Sequence, residues 1–263
     1  MKRFLLVALA AGSLLTSCKK NDDILQPGIL RGPEVSVHGG KAWTWIQLAK
    51  NGTPEKLAVT LTDQALNSVP IGHDDDGDHS GHNMENSYTL KLHPKALAST
   101  PFNHVGMGWN PMGHEPEPIY GIPHFDFHFY LPTPEEIAAI PPYNLAPEKF
   151  DNWPAPDYFP PTYMNFGGGA PQMGAHWVDV TSPEINGAPF TQTFIYGSYD
   201  GKVNFYEPMI TLDFLKNTQS FERSIPQSAK VQKSGYYPTK MLVEKSNGLT
   251  HVILIGFVYR QQS

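Results

Sequence analysis

The residues best placed to do chemistry lie in Pro123-His124-Phe125-Asp126-Phe127-His128-Phe129-Tyr130. Side chains alternate faces along a strand. His124, Asp126, His128 and Tyr130 therefore share one face, and Phe125, Phe127 and Phe129 turn to the other, into a core. Two imidazoles around a carboxylate, mounted on a wall of phenylalanines, suit a rigid metal or acid/base site. Spacing limits the claim. Residues i and i+2 lie roughly 6.7 Å apart and i and i+4 about 13 Å. One ion can take His124 with Asp126, or Asp126 with His128, but not both histidines of a regular strand. Asp126 can equally be the carboxylate that orients a ligating imidazole.

Two further histidines sit in similar loops, Met112-Gly113-His114 and Met173-Gly174-Ala175-His176. With the strand face they make a composite centre of three or four N/O ligands, which suits Zn²⁺ first. The nearby methionines leave copper open. His128, His176 and His114 are the preferred ligands, with His124, Asp126 and Glu207 as ligands or as groups that orient one. Glu207, before Pro208, is a ligand, a general base or the N-cap of a helix. In an enzyme, the metal would activate water for hydrolysis with Glu207 or Asp126 as base. The competing reading is a hydrogen-bonded polar network without metal. In it the aromatics of 141–166 (Tyr143, Trp153, Tyr158, Phe159, Tyr163, Phe166) form a binding or assembly surface, or simply cover a sheet.

The elements that must hold these residues are strands. Asn51-Gly52, Asp200-Gly201 and Asn247-Gly248 are hairpin turns, because two-residue turns favour φ > 0 at both positions. They predict strand pairs at 41–49/55–61, 190–199/202–206 and 236–245/249–259. Further strands are expected at 87–92, 103–109, 123–130 and 176–180. Thr133-Pro134-Glu135-Glu136 is a capping box that starts a helix stopped by Pro141-Pro142. A second helix is expected over 208–216. Gly and Pro number 23 and 25, which excludes a helical bundle and fits turns and loops. The class is α+β and β-rich, a mainly antiparallel sheet built from hairpins, with short helices and a long Pro- and aromatic-rich covering loop over 141–172. One globular domain spans 34–263.

Residues 1–17 form a signal peptide. Lys2 and Arg3 precede an apolar run too short to span a bilayer, and Leu15-Thr16-Ser17-Cys18 matches a lipobox ending at the sole cysteine. The expected product is a lipoprotein anchored by a lipid on Cys18, with a flexible tether over 18–33. Lys19 favours the outer membrane, and Lys20-Asn21-Asp22-Asp23 looks like a surface-export tag. One cysteine excludes an internal disulfide framework and a Cys-rich zinc site. Removing Lys2 and Arg3 takes 19 basic residues to 17 against 25 acidic, no footprint for a nucleic-acid partner. A Gly-x-Ser-x-Gly elbow, a Walker loop and His-Glu-x-x-His are all missing, and no nucleotide cofactor is implied. In 73–86, Asp74, Asp76, Asp78 and Glu85 match EF-hand positions, but His79 stands where glycine is required. That stretch is expected to be a mobile acidic loop. His38, His93, His104 and His251 are isolated and read as structural or surface residues.

Together, residues 109–116, 123–130, 173–179 and 196–209 resemble motifs of a domain-of-unknown-function family of exported bacterial proteins. The resemblance covers about 34–260. It implies an exported β-rich domain able to assemble into homo-oligomers. It also implies one shared site drawing on His114, His124, His128, His176 and Glu207. It supplies no reaction.

Overall fold

A computed structural model describes residues 28–72 and 86–263. The signal peptide, Cys18 and the acidic loop through Glu85 lie outside the described residues. The first sheet runs in the order Ile29–Arg31 (β1), Gly40–Leu48 (β3), Pro54–Thr62 (β4), Leu249–Ile255 (β15), Lys240–Ser246 (β14) and Ser220–Ser224 (β12), with Val35–Val37 (β2) also paired to β3. The second runs Ser87–Lys91 (β5), His104–Asn110 (β6), His124–Tyr130 (β7), Lys202–Thr211 (β11), Gln192–Tyr199 (β10), Ala175–Asp179 (β9) and Tyr163–Met164 (β8). Gly235–Tyr237 (β13) and Val258–Arg260 (β16) form a separate ribbon. The chain is thus β-rich and antiparallel, with short helices at Asp63–Ser68 (α1), Pro94–Ser99 (α2), Glu117–Tyr120 (α3), Pro134–Ala138 (α4), Pro147–Phe150 (α5) and Leu212–Asn217 (α6).

The sheets face each other across one core. Ile46, Leu57 and Val59 of the first sheet meet Val105, Phe125, Phe127, Phe129, Phe194 and Tyr206 of the second. The three phenylalanines of β7 are fully buried, so truncating any one to alanine costs about 3–5 kcal/mol. β15 lies between β4 and β14 and carries apolar residues on both faces, as its sequence implies: Val252 and Leu254 inward, Ile253 outward with Trp43, Trp45 and Ala58.

The outer face of the second sheet is covered as well. Tyr130, Val178, Ile195, Phe205 and Met209 pack under Tyr120, Ile137, Ile140, Phe150 and Phe190. The 141–172 segment supplies part of this cover through Phe150, while its Phe159 and Tyr163 join the core between the sheets. Trp153 and Phe166 stay 47% and 72% exposed. The histidine face of β7 is roofed rather than open.

Local chemistry explains the turns and two departures from expectation. Asp200-Gly201 and Asn247-Gly248 have φ > 0 at both positions, as two-residue turns require. At Asn51-Gly52 only the glycine is left-handed. Its N–H donates to Ala49 O at 2.9 Å, so this hairpin closes through a longer turn with a bulge at Gln47/Leu48. The Thr133 capping box forms in full. The helix expected from Pro208 starts instead at Leu212, because Thr211 caps it by accepting from Phe214 N at 3.2 Å. Pro208 lies within β11, where the ladder to β7 pairs Tyr206↔Phe129 and Met209↔Asp126 and skips the two residues between. Proline has no N–H to offer that ladder. Glu207 is therefore a strand residue, and its capping role is ruled out. The expected tether through Pro33 also ends early, since Ile29–Arg31 pair with Trp45–Gln47.

Candidate metal centres

The register decides which histidines meet. On the covered face, Asn110 of β6 stands opposite His124, Gly108 opposite Asp126 and Gly106 opposite His128. Across β11, Met209 pairs with Asp126, and the register carries Glu207 to His128. Across β10, Ile195 pairs with Glu207, and Gly197 with both Phe205 and His176. The missing side chain of Gly197 matters, because a Cβ there would sit 2.0 Å from the Phe205 ring.

Among the described residues, two groups can each hold an ion: His114, His124 and Asp126, and His128, His176 and Glu207. The sequence spacing suggests one composite centre; the fold makes two. In centre 1, His124 Nε2 lies 3.2 Å from Asp126 Oδ1 and His114 Nε2 lies 3.5 Å from Asp126 Oδ2. In centre 2, His128 Nε2 lies 3.3 Å from Glu207 Oε1 and His176 Nε2 lies 4.0 Å from Glu207 Oε2. Each carboxylate spans one imidazole from β7 and one from a neighbouring loop or strand. Asp126 and His128 are two residues apart, roughly 6.7 Å along a strand. Carboxylate-bridged metal pairs sit about 3.5–4 Å apart and share a carboxylate, whereas these two groups have no residue in common.

The two Met-Gly stretches place the outer histidines. Gly113 and Gly174 have φ of 77° and 120°, and a Cβ on either would strike backbone, Tyr120 O at 2.0 Å and Ser198 O at 2.4 Å. Their lack of a side chain lets His114 and His176 reach over the sheet. Phe190 closes on His124 at 5.4 Å, and Phe205 on His128 and His176 at 4.9 and 5.1 Å between ring centroids.

Electrostatics in the two centres differ. Burial works against an ionised Asp126, but the imidazoles of His124 and His114 outweigh it and hold the carboxyl well below its ordinary range. Burial likewise opposes a charged His114, and Asp126 reverses the effect, leaving His114 raised. Glu207 is pushed well above its ordinary value by burial first and then by the negative charge of Asp126. Asn110, to which sequence reasoning assigns no role, donates to Asp126 Oδ2 at 2.7 Å. The signal that could have found it is its place at the end of the strand antiparallel to β7.

The isolated histidines are structural. His93 caps α2 by accepting from Lys95 N, and His38 contacts Asn86 at 3.2 Å. Trp45 Nε1 donates to Thr60 Oγ1, which lies 2.7 Å from His251 Nδ1. His104 stacks on Tyr130 with ring centroids 5.0 Å apart. Burial draws His104 down to about 4, against a backbone hydrogen bond to Pro132 and the charge of Glu135. Its folded pKa lies below the unfolded value. The stability tied to the neutral ring is therefore complete above pH 6.5 and lost as pH falls toward 4. Urea unfolding at pH 7.5 and pH 5 should show a loss of roughly 1–2 kcal/mol that a His104→Phe variant does not share.

Compared with protein-family models, curated proteins and solved structures, the chain matches none.

Proposed function

We propose that this chain is an envelope lipoprotein whose β-sandwich binds divalent metal, with Zn²⁺ as the resting ion and copper as the alternative. The observation that carries the metal reading is the way the imidazoles of centre 1 are aimed. His114 Nδ1 and His124 Nδ1 each lie 2.7 Å from a backbone carbonyl, of Glu115 and Ile122. Those nitrogens must donate, so in the neutral rings the Nε2 lone pairs point at Asp126. Lone pairs facing a carboxylate at 3.2–3.5 Å repel unless a cation lies between them. Protons can serve, but one divalent ion satisfies all three groups at once, and carbonyl-anchored Nδ1 is how ligating histidines are held. Glu207 Oε2 is buried without a hydrogen-bond partner, and His124 Nε2 and Asp126 Oδ1 face each other at 3.2 Å, an arrangement that coordination would satisfy.

Protein purified without a histidine tag is expected to carry up to two equivalents of metal by elemental analysis. Metal-free protein that takes up none on titration with Zn²⁺ would leave the hydrogen-bonded network as the correct reading.

Metal-assisted hydrolysis is the second reading, favoured by the ligand count. Three protein ligands would leave a coordination position open for water, whose pKa a bound ion would lower. His176, with its side chain 29% exposed, puts that position nearest solvent at centre 2. Glu207 and Asp126 would then act as ligands, so neither is free to be the base expected from sequence.

The lipobox at Cys18, the polar residues that follow it and the resemblance to exported proteins support anchorage to the outer membrane. No described helix is long and apolar enough to cross a membrane. A Cys18→Ser variant should move from the detergent phase to the aqueous phase on Triton X-114 partition. Retention in the detergent phase would refute the anchor.

A further inference from the structure

The two centres are built on one plan but to different tolerances. Two ligand atoms each about 2.05 Å from a tetrahedral zinc lie about 3.3 Å apart. At centre 1 both imidazole nitrogens stand near that distance from the carboxylate, His124 from Oδ1 at 3.2 Å and His114 from Oδ2 at 3.5 Å. Its carboxylate is fixed by Asn110, and both of its imidazoles are pinned through Nδ1 to backbone carbonyls. Its ligand side chains are 0%, 2% and 18% exposed.

Centre 2 meets the edge only between His128 and Glu207, at 3.3 Å. His176 stands off at 4.0 Å from the other oxygen, Glu207 Oε2, so it has to move closer to share an ion with His128. Glu207 Oε2 has no hydrogen-bond donor to hold it. The His176 side chain is 29% exposed, against 3% and 1% for His128 and Glu207. Asn165 Nδ2 donates to the His176 carbonyl at 2.7 Å, and the adjoining Gly167 and Gly168 have nothing within 4 Å of a would-be Cβ.

Resting on the metal-binding reading, we propose that centre 1 holds a resident ion and centre 2 an exchangeable one, so that the protein takes up, releases or uses its divalent cation at His128, His176 and Glu207. A prepositioned ligand set keeps affinity that a set needing rearrangement gives up. A group that fixes a ligand is worth about 10–100-fold in metal affinity, and Asn110 gives that advantage to centre 1 alone among the two carboxylates.

The test is zinc release from the doubly loaded, full-length protein into excess chromogenic chelator. Two phases are expected, one equivalent each, with release rates separated by about tenfold or more. His176→Ala, a change at a partly exposed side chain, should remove the fast equivalent and leave the slow one. His124→Ala should remove the slow one, with circular dichroism reporting whether it folds. A single phase of two equal equivalents, or loss of the slow equivalent in His176→Ala, overturns the assignment while leaving metal binding intact. No zinc at either centre overturns the metal-binding reading itself, and the assignment with it.

Discussion

If the two centres bind divalent metal as proposed, stripping it should lower the thermal unfolding midpoint by about 8–16 °C. An ion that binds only the folded state at a free concentration 100 times its Kd stabilises by about 2.7 kcal/mol. With the second ion held about tenfold more weakly the two contribute about 4 kcal/mol, and in a domain of this size each kcal/mol moves the midpoint by about 2–4 °C. The arrangement favours the upper half of that range. All six ligands converge from β7, β9, β11 and one loop, so unfolding disperses them and the unfolded chain offers no comparable set. Scanning calorimetry with buffered free Zn²⁺ and again with excess chelator measures the shift. An unchanged midpoint would mean that the imidazoles and carboxylates balance one another through protons alone.

Why the centres number two was beyond a reading of one strand at a time. Alternation along 124–130 was legible, because Phe125, Phe127 and Phe129 announce the buried face and leave His124, Asp126 and His128 on the other. The same period placed the two histidines too far apart for one ion. It could not say what stood beside each of them. That depends on cross-strand register: Asn110 against His124, Gly197 between Phe205 and His176, Glu207 carried to His128. Register follows from hairpin lengths and from which face is buried, and the longer closure at Asn51-Gly52 shows how a single turn departs from its dipeptide signal. Glu207-Pro208 misled for a related reason. Glu-Pro reads as a helix start, yet a proline fits a strand where one neighbour's ladder is already interrupted, and Thr211 offered a better cap four residues after Glu207. Ile29–Arg31 is not legible as a strand, because an edge strand of three residues beside Gly28 and Pro33 has the composition of a tether.

Asp126→Asn should abolish metal binding at centre 1 and destabilise the metal-free protein by about 3–5 kcal/mol at mildly acid pH. The substitution keeps the shape of the side chain and the packing of β7, so the loss is electrostatic. The amide removes the negative charge between His114 and His124, leaving imidazoles aimed at a neutral group in a buried site. The dependence on pH has a definite sign. Asp126 is depressed in the folded protein, so its contribution is present above its unfolded value of 3.8 and is lost as pH falls through the folded one. His114 is raised, so its contribution is complete below 6.5 and is lost as pH rises through its folded value. In metal-free protein the penalty of Asp126→Asn is therefore greatest between about pH 4 and 6.5 and shrinks at alkaline pH. With zinc present the trend reverses. The ion competes with protons for the same nitrogens, so the wild-type advantage grows as pH rises. Urea unfolding of both proteins across this range, with and without Zn²⁺, yields two curves of opposite slope if Asp126 is the shared anion of a metal centre. Parallel curves would show that it serves the imidazoles only as a counter-ion.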